Sequence, residues 1–295
     1  MFTKLFSVIA ASSILFTSAL AKTNFAGLNA ANSVGNAGTY TCRTPQQWNT
    51  FANDAKKNGF GAIRILGFDC NALDLASAAA KSAGLKVMAG IYIDGTVASG
   101  SAQVDKDAGA FIDAYKKYGA DRYLGLAVGN EVADSPANIM AKVNDVRNRM
   151  KSAGVKTPVS TVHVWVTIRD HPELCSADFV GANAHAFYDG GRTSAQAGEF
   201  LSTTVIPSLK KACPGKKIYI TETGWPSAGP KNGVANASPG DEQTALGKLN
   251  CAARDSAGVS VFAFEYDDQK WKGNGNEQSF GIIGKFDLGK VLGQC

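Results

Sequence analysis

Two glutamates, Glu131 and Glu222, each stand where a strand-like apolar run ends. Glu222 follows residues 218–221, a β-branched and aromatic run that a glycine and a proline then stop. Glu131 follows the apolar run at residues 123–128 by way of a glycine and an asparagine. Cleavage of a glycosidic bond needs two such groups, an acid that protonates the leaving oxygen and a carboxylate that stays ionised. The two strand ends therefore indicate a site for sugar chemistry, although either glutamate alone could be a salt bridge at a barrel rim.

Polar residues near the same strand ends are candidates for binding a sugar. Asn130 precedes the first glutamate, where its amide can bond a sugar 2-hydroxyl or cap the next turn. Arg64 lies on the second strand-like run, and because a buried arginine needs a carboxylate partner, it either helps to keep Glu222 ionised or makes a structural ion pair. Asn183 and His185 end the sixth run and are expected to line the cleft, although a histidine there can also pack in the core.

Aromatic side chains at strand ends could act as platforms for sugar rings, because their flat apolar faces match the C–H face of glucose. Phe187 and Trp225 could equally belong to the core. Trp271 lies in a loop rich in glycine and asparagine, where burial is less natural. The candidates for substrate binding are Tyr92, Phe187, Tyr188, Trp225 and Trp271.

The candidate residues sit on strand-like runs that alternate with helical patterns. Alternation with short links predicts parallel strands joined by helical crossovers, and eight such units in a chain of this length predict an α/β fold, a single-domain (β/α)8 TIM barrel. A doubly wound open sheet is the structural alternative, but no G-x-G-x-x-G motif follows the first run. In a barrel both glutamates lie on the carboxyl-end face. The runs are residues 24–28, 62–66, 86–93, 123–128, 159–164, 179–184, 218–221 and 259–264.

Six cysteines, all beyond residue 21, indicate three disulfides in a secreted protein. The barrel face on which each cysteine lies limits the pairing, because a disulfide needs Cα atoms within about 7 Å. Cysteines that follow the first two strands share the carboxyl-end face, and those that precede strands six and seven share the opposite face. We therefore predict the pairs Cys42–Cys70, Cys175–Cys213 and Cys251–Cys295.

Residues 1–21 have the form of a secretory signal peptide, with a lysine, an apolar stretch and an A-x-A cleavage site. Residues 22–295 are then expected to be one secreted catalytic domain, extracellular or in a cell wall, without a membrane span or lipid anchor. The formal net charge of +5 is spread without a basic stripe, which argues against nucleic acid. Cysteine and histidine spacing does not suit a metal. We expect no cofactor and a monomer.

The segments around the two glutamates carry a resemblance to a known family. V-G-N-E at residues 128–131 and T-E-T-G-W-P-S at residues 221–227 resemble the catalytic blocks of glycoside hydrolase family 17, the β-1,3-glucanases and their transferase relatives. I-R-I-L-G-F-D-C at residues 63–70 and F-E-Y-D-D-Q-K-W-K at residues 264–272 extend it, the latter being similar to F-E-A-F-D-E-P-W-K of the fungal cell-wall branch. The resemblance covers residues 25–286. Gln269 and Lys270 depart from the fungal pattern, which concerns subsite detail rather than the reaction.

The resemblance implies a retaining enzyme on β-1,3-glucan, with Glu131 as acid/base and Glu222 as nucleophile. It also implies that Glu265 and Asp268, which match acids of the fungal block, bond sugar hydroxyls or orient Glu222. Because the fungal branch leans toward transfer, the expected activity is that of a β-1,3-glucanosyltransferase with some hydrolysis, acting on glucan oligosaccharides or polysaccharide. An ordinary endo-β-1,3-glucanase and a non-catalytic glucan-binding wall protein stay open as alternatives.

Overall fold

Eight parallel strands close into a barrel in which each strand pairs with the next and β8 returns to β1. The computed structural model describes residues 23–273 and 275–295, so the expected signal peptide lies outside the described residues. The closed strand order confirms the (β/α)8 TIM barrel and excludes the open doubly wound sheet. The strands are β1 (Gly27–Asn29), β2 (Ala62–Arg64), β3 (Lys86–Ile91), β4 (Tyr123–Asn130), β5 (Val159–Val164), β6 (Val180–Asn183), β7 (Ile218–Thr223) and β8 (Val259–Ala263).

Helices connect successive strands and cover the outside of the barrel. A π-helical turn, Phe200–Val205, joins α7 and α8 into one helical stretch. No helix in the described part of the chain has both the length and the apolar character needed to cross a membrane. The helices are α1 (Pro45–Lys57), α2 (Ala72–Ala83), α3 (Val97–Tyr118), α4 (Pro136–Ser152), α5 (Trp165–Asp170), α6 (Ala186–Asp189), α7 (Ala197–Glu199), α8 (Ile206–Ala212), α9 (Pro239–Asp255) and α10 (Leu288–Leu292).

The first strand is shorter than predicted, because its expected first residues bond elsewhere. The amide of Asn24 donates to Asn250 Oδ1 at 2.7 Å, and that of Phe25 donates to Thr23 Oγ1 at 3.1 Å. Pairing with β8 begins at Gly27, where a Cβ would stand 2.3 Å from the Phe262 ring. A glycine at this position lets the ring fill the barrel beside the backbone.

Alternation along the strands decides which side chains enter the barrel. Ala62 belongs to a small buried cluster that also holds Phe179 and Tyr219, whereas Ile63 belongs to the main core between sheet and helices. Since side chains of a strand point alternately to opposite faces, Arg64 points the same way as Ala62, into the barrel interior. The apolar cluster fills the barrel interior toward the amino ends of the strands, and polar side chains fill it toward the carboxyl ends.

Three disulfides join the predicted pairs of cysteines. Their Cα–Cα distances are 5.4, 5.4 and 5.3 Å, within the range that a disulfide spans. Cys42–Cys70 ties the segment after β1 to the segment after β2 on the carboxyl-end face, while Cys175–Cys213 lies on the opposite face. The pairing confirms the assignment of cysteines to faces, and the first bridge joins two loops on the face that carries the two glutamates.

Candidate active site

The carboxyl ends of the strands open into a cleft of about 870 Å³. Both glutamates line it on the carboxyl-end face, Glu131 directly after β4 and Glu222 on β7. The loops after β1, β2, β3, β5, β6 and β8 supply the rest of the wall. The predicted residues found in the cleft wall are Tyr92, Asn130, Glu131, Asn183, His185, Tyr188, Glu222, Glu265 and Trp271.

Glu222 is buried at the bottom of the cleft with only 6% of its surface exposed. Arg64 Nη1 donates to its Oε1 at 2.6 Å, and His185 Nε2 stands 3.7 Å from its Oε2. Burial alone would raise the pKa of Glu222, but the Arg64 guanidinium and His185 outweigh burial and lower the pKa to about 2. A pKa of about 2 keeps this carboxylate ionised over the whole physiological pH range.

Arg64 lies beneath the cleft rather than in its wall, which corrects its prediction as a sugar-binding residue. It is 2% exposed and donates to Glu222, to Asn29 Oδ1 at 2.8 Å and to Asn130 Oδ1 at 2.8 Å. Strand alternation explains the depth, since Arg64 points into the barrel from the last position of β2. A guanidinium with three fixed acceptors orients Glu222 and Asn130 at once and does not reach a sugar.

Glu131 stands on a distorted end of β4 and faces the open side of the cleft. Its φ is 54°, and its amide donates to Val162 O at 2.8 Å. Asn183 Nδ2 donates to its Oε1 at 2.7 Å. Although solvent reaches the carboxyl, the surrounding protein displaces water and raises its pKa, with the charge of Glu222 acting in the same direction and the Asn183 bond opposing. The pKa values of the two carboxyls are thus shifted in opposite directions, which favours the protonated form of Glu131 and the ionised form of Glu222.

An asparagine pair links the two glutamates. Asn130 Oδ1 accepts from Arg64 and, at 3.2 Å, from Asn183 Nδ2, which also serves Glu131. Because its oxygen is occupied, Asn130 Nδ2 is left as a donor with no acceptor among residues 23–273 and 275–295. Thr221 Oγ1 donates to Asn183 Oδ1 at 2.8 Å and fixes that side chain. The chain of bonds holds both carboxyls in place and leaves one amide free to meet a sugar hydroxyl.

Exposed aromatic rings line the walls. Tyr92 is 54% and Tyr188 47% exposed, and the partly exposed Trp271 donates from Nε1 to Gln269 Oε1 at 2.6 Å. Tyr40, which the sequence reasoning missed, also lines the cleft and is 45% exposed. A signal was present, because Tyr40 precedes by two residues a cysteine already assigned to the carboxyl-end face.

Phe187 and Trp225 are core residues, which corrects their prediction as sugar platforms. Phe187 is 0% and Trp225 2% exposed, and their rings meet edge to face at 5.3 Å. Trp225 Nε1 donates to Asn236 O at 2.7 Å, so its polar atom is satisfied inside the protein. The short helix α6 turns Phe187 inward and its neighbour Tyr188 outward. Neither buried ring can lie against a sugar.

Asp268 anchors the loop after β8 and does not line the cleft, contrary to the prediction. It forms ion pairs with Lys285 at 2.8 Å and Lys270 at 3.1 Å, and it accepts the amide of Gly281 at 3.0 Å. Burial alone would raise the pKa of Asp268, but the two lysines and the amide lower it. Its hydrogen-bonding capacity serves the loop rather than a ligand.

Glu265 remains a cleft residue, and its carboxyl is buried. It is 1% exposed, its Oε1 has no hydrogen-bond partner within the described ranges, and Lys272 Nζ stands 3.7 Å away. Burial raises the pKa of Glu265 to about 8, against the opposing charge of Lys272. A carboxyl that holds its proton near neutral pH can donate a hydrogen bond to a sugar oxygen.

His185 combines the two roles that its position suggested. It lines the cleft beside Glu222, yet its ring packs edge to face on Phe264 at 5.3 Å and Phe280 at 5.4 Å. Among the residues that the structure covers, no three Cys, His, Asp or Glu side chains form a group that could hold a metal.

One protein-family model and a solved structure match this chain over most of its length. The family model described as the BtgE/BtgC glycoside hydrolase domain matches residues 31–281. A solved glycoside hydrolase family 17 β-1,3-glucanosyltransferase from Rhizomucor miehei superposes with a TM-score of 0.73 at 25% sequence identity, covering 89% of this chain and 94% of the other.

Two fungal relatives are similar in sequence. Cell surface mannoprotein MP65 of Candida albicans is 34% identical over 230 residues, which is 75% of this chain and 57% of the relative. Probable family 17 glucosidase SCW4 of Saccharomyces cerevisiae is 30% identical over 240 residues, which is 78% of this chain and 58% of the relative. The chain thus spans little more than half the length of these relatives.

Proposed function

This chain belongs to the BtgE/BtgC glycoside hydrolase domain family, and from that membership we propose that it cleaves β-1,3-glucan with retention of configuration and transfers the glycosyl unit to a second glucan. The observation that carries the proposal is the divergence of two carboxyls in one cleft. The pKa of Glu222 is lowered to about 2 by Arg64 and His185 against its burial, while burial raises the pKa of Glu131. Such a pair meets the need for one ion and one acid at the same pH.

In the first step the Glu222 carboxylate attacks the anomeric carbon while Glu131 gives its proton to the leaving oxygen. The glycosidic bond breaks, an ester forms between the sugar and Glu222, and the shortened glucan leaves as an alcohol. In the second step Glu131, now ionised, takes the proton of an incoming hydroxyl, which attacks the anomeric carbon and releases Glu222. Asn130 Nδ2, left free by its fixed oxygen, suits a bond to the sugar 2-hydroxyl that strengthens in both transition states.

Transfer rather than hydrolysis requires that a sugar, not water, occupies the acceptor side in the second step. Accessible rings stand in more than one part of the cleft wall: the exposed Tyr188 after β6, and the exposed Tyr40 and partly exposed Trp271 in the loops after β1 and β8. Rings at separate places in the cleft wall would let a donor and an acceptor bind at once, which favours transfer. The matched structure from Rhizomucor miehei is itself named a β-1,3-glucanosyltransferase.

A secreted, wall-associated protein fits the remaining observations. Three disulfides are typical of an oxidising compartment, and one relative is named a cell surface mannoprotein. We take β-1,3-glucan of the wall as the substrate on this basis.

Product analysis of an incubation with laminari-oligosaccharides of one length tests the proposal. Transfer predicts early products longer than the substrate, whereas an endo-hydrolase gives only shorter ones and a glucan-binding protein gives none. Glu222→Gln should abolish turnover with the fold intact, because an amide cannot form the glycosyl ester. Glu199→Gln, an exposed isosteric change on α7, is the matched control and should keep wild-type rates. Turnover by Glu222→Gln at the wild-type rate would contradict the proposed nucleophile.

A further inference from the structure

Tyr40 forms an aromatic corner with Trp271 at the edge of the cleft. The two ring centroids are 4.8 Å apart with the planes at 77°, an edge-to-face arrangement. Tyr40 Oη donates to Asp69 Oδ2 at 2.6 Å, and the tyrosine is still 45% exposed. The ring is thus held from two sides while part of it faces the cleft.

The segment that carries Tyr40 is fixed to the barrel rather than free. The disulfide Cys42–Cys70 joins it to the segment after β2, next to Asp69. Asn32 Nδ2 donates to the other oxygen of Asp69 at 2.7 Å, so two residues of the loop after β1 bind Asp69 in the loop after β2. Because folding already immobilises the Tyr40 ring, a ligand that binds there would not carry the entropic cost of ordering it.

Tyr40 is exposed, so packing in the hydrophobic core does not explain its position. Among residues 23–273 and 275–295, large exposed apolar or aromatic side chains are scarce, and all but Val234 line the cleft. A concentration of exposed rings in a concave site marks ligand binding rather than the general surface. The cleft-lining group is Tyr40, Tyr92, Val164 and Tyr188.

Tyr40 lies apart from the catalytic pair. The hydrogen bonds of Tyr40 and Trp271 go to Asp69 and Gln269, and none joins the network of Glu222 and Glu131. Tyr40 is held by the loops after β1 and β2, whereas Glu131 follows β4 and Glu222 lies on β7. A sugar stacked in the corner would therefore be a different residue of the glucan from the one at the scissile bond.

We propose that Tyr40 and Trp271 form a remote subsite that stacks one residue of a β-glucan chain and makes the enzyme prefer chains long enough to reach it. The inference rests on the proposed function for its substrate class. Tyr40 is a specificity-determining residue in this scheme, since its contribution grows with chain length. Trp271 supplies the second wall of the corner, and Asp69 holds the tyrosine in register.

The dependence of kcat/KM on laminari-oligosaccharide length tests the proposal. Tyr40→Ala and Tyr40→Leu should lower kcat/KM about tenfold for the longest substrates and leave the shortest cleavable one unchanged, because only a long chain fills the corner. Tyr40→Phe, which keeps the ring, should retain most of the length preference. Val234→Ala, which removes an exposed apolar side chain outside the cleft, is the matched control and should leave the length dependence unchanged.

Equal losses at every chain length, or no loss at any, would overturn the subsite. Calorimetric titration of Glu222→Gln with the longest oligosaccharide, with and without Tyr40→Leu, separates this inference from the proposed reaction. Weaker binding in the Tyr40 variant supports the corner even if the wild-type protein turns over no substrate. Unchanged binding in a folded variant contradicts the corner even if glucanosyl transfer is established.

Discussion

Replacement of Arg64 should change the acidity of Glu222 more than any other single substitution beneath the cleft. Arg64 Nη1 donates hydrogen bonds to Glu222 and Asn29, and Arg64 Nη2 donates one to Asn130. Lysine keeps a positive charge but not the planar fork, so Arg64→Lys cannot satisfy all three acceptors. Arg64→Met keeps an apolar stem and removes the charge altogether.

The magnitude follows from the position of the Glu222 pKa. Burial alone would raise it, yet Arg64 and His185 lower it from an ordinary value of 4.5 to about 2. A difference of about 2.5 units corresponds to about 3 kcal/mol in favour of the ion. Without the guanidinium the burial remains, so in Arg64→Met the pKa should rise above 4.5, and Arg64→Lys should lie between.

The sign of the stability change follows from the same shift. In the wild type the folded pKa of Glu222 lies below the unfolded value, so its stabilising contribution is complete above about pH 4.5 and is lost as pH falls toward about 2. In Arg64→Met the folded pKa lies above the unfolded value, so the contribution reverses. That variant should be relatively most stable in acid and lose stability as pH rises through the raised pKa.

The assay is the pH profile of kcat/KM on a laminari-oligosaccharide, from about pH 3 to about pH 8, with urea unfolding at each pH as a check on folding. We expect the acidic limb to move upward in Arg64→Lys and further in Arg64→Met. Arg43→Lys is the matched control, because Arg43 is 3% exposed and paired with Asp267 and has no hydrogen bond to Glu131 or Glu222. An unmoved acidic limb in a folded Arg64→Met variant would refute the electrostatic role given to Arg64.

Three further outcomes are expected. Glu131→Ala should slow turnover by a factor of about 10² or more and remove the basic limb of the profile, with azide restoring part of the rate; an unchanged basic limb would mean that another group is the acid. Proton NMR early in the reaction should detect β-configured product, and an initial α-product would indicate inversion. Lys285→Met should cost about 2 kcal/mol of unfolding free energy, because Lys285 bonds Glu242 and Asp268. Burial raises the pKa of Glu242 to about 8 against Lys285, and without the lysine that pKa should rise further. The loss should therefore grow as pH rises above about 8, where only the wild type gains the Glu242–Lys285 ion pair, and a pH-independent loss would contradict this reason.

Much of the fold could be predicted because the signals were periodic and local. The fourth and seventh strand-like runs end at Glu131 and Glu222, which predicted the barrel face on which both residues lie. The positions of the cysteines relative to the strand ends predicted their pairing. The residues at which helices and strands begin and end could be predicted less well than the elements themselves. The first strand was expected to begin at residue 24, but it begins at Gly27, because the amides of Asn24 and Phe25 bond side chains instead of a neighbouring strand.

Burial of single side chains could not be predicted, because it depends on contacts between distant segments. Phe187 and Tyr188 are neighbours with opposite exposure, and only the turn of α6 decides which ring faces the cleft. Trp225 is buried by Phe187 and by Asn236, which no pattern near Trp225 indicates. Arg64 was expected near Glu222, but its depth beneath the cleft depends on the direction of strand β2.

Identification of the residue that becomes covalently bound to sugar tests the central claim most directly. A 2-fluoro-substituted β-1,3-glucosyl donor with a good leaving group slows the second displacement and lets the glycosyl-enzyme accumulate. After acid quenching and digestion, peptide mass spectrometry should find the added sugar on Glu222, with no label in Glu222→Gln. Sugar attached to Glu131 or to another residue, or continued turnover of the ordinary substrate with no intermediate on Glu222, would contradict the account.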